Sequence, residues 1–193
     1  MATVQNRLLT SQEYLALERR AEFRSEFYRG EMFAMSGASW KHTLIKDNIA
    51  SEAGNQLEDR GHALTSDLRV KVAANSYTYP DVVIVCAEPQ FEDEFRDTLL
   101  NPRVIVEVLS DSTEKYDRGA KFAHYRQVPS VEEYVLVAQD RPLVERYVRQ
   151  ADASWLLTAF NEMALTFAFA SIPVRIALAD IYRNVKLPES PER

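Results

Sequence analysis

The chain has 193 residues, 46% of them hydrophobic and 27% charged, with a formal net charge of −6. That is room for one soluble domain with a real core, so residues 1–193 are read as a single domain, with a frayed tail over 187–193. No apolar run approaches the ~20 residues of a membrane span, and Met1 to Thr10 has no apolar core of signal-peptide length, so the expectation is a cytoplasmic protein with no membrane partner.

One cysteine, Cys86, excludes an internal disulfide and a cysteine-rich zinc site, and its place in an apolar run reads as a small buried residue. The acidic balance argues mildly against nucleic acid, although phosphate binding depends on the local patch and not on the total.

In chain order, Ser11 is expected to cap a first helix that carries Glu13, Tyr14, Leu15 and Leu17. Phe23 to Met35 reads as a hairpin turning at Arg29-Gly30. A long helix is expected from Ser39 to Asp59, with Leu44, Ile45, Ile49, Ala53 and Leu57 on one stripe and Gly61 as its C-terminal stop. Ala63 to Val72 alternates weakly. Tyr79 to Ala87 and Pro102 to Leu109 are continuous apolar runs, as strands buried on both faces require. Lys115 to Gln127 predicts a helix ending near Pro129. Glu133 to Ala138 predicts a strand, Leu143 to Arg149 with Trp155 to Phe160 a hairpin, and Ala177 to Tyr182 a short last helix. The fold class is therefore α/β or α+β: a central mixed sheet flanked by helices, with an N-terminal helix and hairpin.

Two carboxylates interrupt the apolar runs. Asp81 opens Val82-Val83-Ile84-Val85, and Glu107 lies inside Val104 to Leu109. A charge within a buried strand costs several kcal/mol unless it is paired, protonated or bound to metal. Two on neighbouring strands would raise each other's pKa. A hard divalent cation removes both problems, since Mg²⁺ takes one or two carboxylates plus waters and substrate phosphate. The plainer alternatives are that Asp81 caps a turn after Pro80, and that Glu107 pairs with Arg103 or faces solvent from an edge strand.

Asp117, Lys121 and Tyr125 are spaced by four and share one face of the helix that follows. Asp117–Lys121 could be a surface ion pair worth a few tenths of a kcal/mol. Alternatively, Lys121 reaches back towards the metal, where its ammonium could orient water or steady charge on phosphate oxygens.

Together, Tyr79-Pro80-Asp81-Val82-Val83, Val106-Glu107-Val108-Leu109-Ser110, Ser112-Thr113, Tyr116-Asp117-Arg118, Lys121 and Tyr125 resemble the Uma-two family of restriction-endonuclease-like proteins, within the PD-(D/E)XK nuclease superfamily. Glu26 with Gly30-Glu31, Ser39 with His42, and Glu133-Tyr134-Val135-Leu136-Val137 extend the resemblance, which runs from about Ser11 to Arg149.

The resemblance implies the restriction-endonuclease fold, with Asp81 and Glu107 as the two signature acids. The superfamily lysine would sit two residues after Glu107, where this chain has Leu109; Lys121 matches the helix lysine of such families instead. It also implies catalysis by Asp81, Glu107 and Lys121, and Mg²⁺ or Mn²⁺ held by Asp81, Glu107, the Val108 carbonyl and, directly or through water, Glu26. Tyr125 would hold Lys121, His42 would bind phosphate or cap its helix, and Asp117 would support the lysine. The implied substrate is DNA, cut by metal-dependent phosphodiester hydrolysis, and the implied assembly a homodimer.

Arg69, Lys71, Lys115, Arg118 and Arg126 form a basic rim on this reading, or ordinary solvated surface. The alternatives in function are a nuclease-fold binding or assembly module without activity, and a metal hydrolase of a small phosphoester.

Overall fold

A computed structural model describes residues 7–188. Helix α1 (Ser11–Glu18) starts one residue earlier than the sequence suggests. Thr10 is its N-cap, and Thr10 and Glu13 close a reciprocal capping box that satisfies two otherwise orphaned donors. Strands β1 (Ser25–Tyr28) and β2 (Glu31–Ala34) form the expected hairpin. Arg29 and Gly30 both have positive φ, the backbone that a tight two-residue hairpin turn demands.

Helix α2 (Trp40–Leu57) is capped by Ser39, whose side chain accepts from the His42 amide. Ile45, Ile49, Ala53 and Leu57 are buried along it, while Leu44 is half-buried. A 3-10 turn (Glu58–Arg60) follows, and the left-handed residue that ends the helix is Glu58. Gly61 is extended and serves a different purpose: a Cβ there would stand 2.7 Å from the Val85 carbonyl oxygen. The glycine lets the chain pass close against the sheet edge.

Ala63 to Val72 divides into β3 (His62–Thr65) and β4 (Arg69–Ala73), which belong to different sheets. The main sheet has six strands in the order β11-β10-β9-β8-β6-β3. It comprises β3, β6 (Val82–Val85), β8 (Val104–Leu109), β9 (Glu133–Ala138), β10 (Val144–Arg149) and β11 (Trp155–Phe160). Strands β8 and β9 run parallel and the other neighbours antiparallel, so the sheet is mixed. The second sheet, β2-β1-β5-β4-β7, adds β5 (Ser76–Thr78) and β7 (Thr98–Leu99) to the hairpin. A two-stranded ribbon, β12 (Thr166–Ala168) with β13 (Arg175–Ala177), precedes α5 (Leu178–Ile181); the ribbon strands are too short to leave a period in the sequence.

Alternation along β6 and β8 divides the core. Val82, Ile84, Val104, Val106 and Val108 pack with α2 and α5 on one face. Val83, Val85, Ile105 and Leu109 pack with Val70, Leu99 and Tyr125 on the other. Both strands are buried throughout, as their unbroken apolar runs require.

The helix expected over Lys115 to Gln127 forms as one continuous helical run over residues 114–125, with a π turn in its middle. Its parts are α3 (Glu114–Tyr116), the π turn (Asp117–Lys121) and α4 (Phe122–Tyr125). The π turn widens the helix where Asp117 and Lys121 face inward. Among the described residues no helix is long and apolar enough to cross a membrane. Of the tail expected to fray, residues 189–193 lie outside the described residues.

Candidate active site

The pairing of β6 with β8 fixes the first two acids. Val83 stands opposite Ile105 and Val82 opposite Val106, so Asp81, just before β6, falls opposite Glu107. By alternation both side chains leave the same face as Val83 and Ile105. The Asp81 amide donates to Glu107 Oε2 at 3.3 Å. Asp81 Oδ2 accepts from the Val108 amide at 2.8 Å. In an extended strand the N–H and C=O of one residue point to the same side, so the Val108 carbonyl also faces the Asp81 side of β8.

Glu107 is 2% exposed, Asp117 3% and Lys121 7%. Lys121 Nζ lies 3.0 Å from Glu107 Oε1, 3.3 Å from Glu26 Oε1 and 3.7 Å from Asp117 Oδ1. This excludes two of the plainer readings. Asp117–Lys121 is no surface pair, and Glu107 neither faces solvent nor meets Arg103, which pairs with Glu132 at 2.9 Å.

Two expected supporting roles also change. Tyr125 donates to Glu107 Oε1 at 3.2 Å and accepts from Thr78 Oγ1 at 2.8 Å, so it fixes the acid and not the lysine. The His42 side chain does not cap α2, since Ser39 does that; its Nε2 meets Asp81 Oδ1 at 2.8 Å, donating if it carries the ring proton.

Tyr116 belongs to one of the sequence motifs, and nothing in the sequence signals its partner. Its hydroxyl donates to Glu26 Oε2 at 3.0 Å while Lys121 holds Oε1. Tyr116 and Lys121 are five residues apart, the repeat of a π turn, so the widened turn brings both to Glu26.

Three carboxylates, from Glu26, Glu107 and Asp117, thus surround one lysine, and Asp81 adjoins them through Glu107. Burial pushes the Glu107 carboxyl well above the usual carboxylate range; Asp117 and Asp81 push the same way, against the pull of Lys121. Burial likewise raises Asp117. For Lys121 burial opposes the charge, but Glu107 and Glu26 outweigh it and hold the ammonium well above its ordinary value. Burial thus sets the direction for the two carboxyls, whereas the neighbouring carboxylates set it for the lysine.

The donors fit a hard cation. Among the described residues no group of three His, Cys, Asp or Glu side chains is placed to hold a metal ion. Asp81, Glu107 and the Val108 carbonyl instead make an open, all-oxygen set, the kind Mg²⁺ or Mn²⁺ completes with water and substrate.

These residues line a cleft of about 910 Å³. Its other walls include Phe33 and Met35 from the hairpin, Ser39 and Lys46 from the start of α2, and Ser110, Ser112 and Thr113 beyond β8. The basic rim does not assemble. Arg69 is buried, donating to Tyr79 Oη at 2.9 Å, with Nη2 3.0 Å from Asp97 in an ion contact and not a directed hydrogen bond. Lys71 meets Glu92 at 2.5 Å, and Arg118 meets Glu114 and Glu145 at 2.8 and 2.6 Å.

A family model described as "Uma2: Putative restriction endonuclease" matches residues 11–179. The chain belongs to that family. Two uncharacterized Synechocystis sp. proteins share its length. One is 36% identical, over 89% of this chain and 99% of its own; the other is 31% identical, over 92% and 93%. A solved structure from Anabaena variabilis ATCC 29413, titled a putative nuclease belonging to DUF820, superposes with a TM-score of 0.74. It is 19% identical, over 90% of this chain and 97% of that one, and so shares the mixed α+β fold. Within the Uma2 match fall all four acids and Lys121.

Proposed function

We propose that this Uma2 protein is a divalent-metal-dependent nuclease that hydrolyses phosphodiester bonds of DNA. The observation that carries the reading is the buried surplus of carboxylates around one lysine, with Asp81 and Glu107 side by side on adjacent strands. Left to itself such a surplus destabilises the fold; a divalent cation relieves it.

Asp81, Glu107 and the Val108 carbonyl would hold Mg²⁺ or Mn²⁺, and Glu26 would reach it through water. A divalent cation there supplies Lewis-acid polarisation of the phosphate and an activated water. His42 and the Val108 amide fix the two oxygens of Asp81, and Tyr125 fixes Glu107, so neither acid must be ordered when substrate arrives. Lys121, clamped through Glu26 by Tyr116, aims a compact charge at oxygens that become more negative as the P–O bond breaks. Glu107 and Glu26, with Asp117 behind them, keep that lysine charged. A homodimer would let two such clefts act on the two strands of a duplex.

One finding favours a second reading. A cleft whose neighbouring arginines are tied to other acids suits a smaller phosphodiester as well as a nucleic-acid strand.

The test is cleavage of plasmid, linear and single-stranded DNA, and of bis(p-nitrophenyl) phosphate, each with Mg²⁺, Mn²⁺ or EDTA. The nuclease reading expects DNA cleavage with metal and none with EDTA. Turnover of the small ester without DNA cleavage would favour the second reading, and inertness towards both would favour a binding module.

A further inference from the structure

Lys46 lies one turn beyond His42 on α2, lines the same cleft, and has a side chain only 15% exposed. Its Nζ donates to Ser66 Oγ at 3.1 Å. Among the described residues its one carboxylate contact is Asp47 Oδ1 at 3.8 Å, from a largely exposed side chain that water screens. An ammonium has three donors, and a single hydroxyl accepts one of them.

The other cleft lysine is different. Lys121 has three carboxylates within 4 Å. The cleft's acids therefore hold Lys121 and leave Lys46 unused. With one hydroxyl as its hydrogen-bond partner among the described residues, the Lys46 ammonium has donors left for an anion that enters the cleft. The place of that anion is fixed by Ser66, whose backbone amide donates to the Asp81 carbonyl oxygen at 3.2 Å. A single residue thus ties Lys46 to the backbone of Asp81, and the two side chains line the same cleft.

We infer that Lys46, oriented by Ser66, binds a phosphodiester oxygen of the nucleic-acid strand at a position adjoining the scissile phosphate. The inference rests on the nuclease reading and adds to it a second anchoring point for the strand, on the wall of the cleft formed by α2. The plain alternative is that Lys46 only braces Ser66 and the loop before β4.

Salt dependence separates the two. Each neutralised phosphate of a single strand contributes about 0.7 to the slope of log K against log salt. Anisotropy of a fluorescein-labelled single-stranded oligonucleotide, titrated over a range of NaCl with Ca²⁺ replacing the catalytic metal, reads that slope. Lys46→Gln should weaken binding and make the slope shallower by about 0.7, and Lys46→Arg should restore it. A slope unchanged in Lys46→Gln, whatever happens to its affinity or melting temperature, would overturn the phosphate contact and leave the nuclease reading standing. Wild-type protein that binds no oligonucleotide at any salt would overturn both.

Discussion

Lys121 occupies a position where a lysine is expensive to bury and three carboxylates make it affordable. Its removal should act on two properties at once. If the ammonium steadies the transition state, Lys121→Ala should lower single-turnover cleavage by about 10²–10³. Because it also leaves Glu26, Glu107 and Asp117 facing one another, the variant should melt lower than wild type without metal, as breaking a buried pair costs roughly 3–5 kcal/mol. Mn²⁺ should restore part of that stability and none of the cleavage. Near-wild-type cleavage would remove Lys121 from the mechanism. Asp81 and Glu107 could be singled out from sequence because a charge inside an apolar run is conspicuous on its own. The partners of His42 and Tyr125, and the roles of Tyr116 and Lys46, could not, because they depend on which element packs opposite.

At the scale of elements, the long helix, both hairpins and the buried strands were legible because each carries its own period or turn residues. What escaped was decided between elements. The bend from β3 into β4 moves the chain from one sheet to another, and nothing in Ala63 to Val72 signals it. The π turn is equally silent in sequence, since the four-residue spacing of Asp117, Lys121 and Tyr125 fits an α-helix just as well. The first helix is joined to the second sheet by a polar network. Arg19 meets Asp97 and Asp93 at 2.8 and 2.6 Å, and Glu18 accepts from Tyr79, which accepts from Arg69. The hydrogen bond from Arg19 is foremost in holding the Asp97 carboxyl down at about 2. A carboxyl depressed in the folded state contributes stability at pH values above the ordinary carboxylate range and loses it as pH falls towards 2. Asp97→Asn should therefore melt below wild type at pH 7, with the gap closing between about pH 4 and pH 2. The gap should be modest, because the aspartate is one-third exposed to screening water. A gap that is constant with pH would mean that packing and not charge sets it.

For the molecule as a whole, the mixed α+β fold was recoverable from strand and helix periods and from the family resemblance, and the superposition with the Anabaena variabilis structure agrees. The division into two sheets was not recoverable, nor was the fate of the bases: Arg69, Lys71 and Arg118 lie near the site in sequence yet are spent on acids elsewhere. On the proposed reading, the molecule that results has an acidic cleft whose charge a divalent cation would balance. That claim can be tested by thermal melting of wild type and Glu107→Gln with and without Mn²⁺. A cation bound only by the folded state raises its melting point by mass action. Wild type should shift upward with Mn²⁺. Metal-free Glu107→Gln should already melt above metal-free wild type, by about 2–4 °C for each kcal/mol of repulsion relieved, and should not respond to Mn²⁺. An undiminished Mn²⁺ shift in Glu107→Gln would place the metal elsewhere and contradict the account.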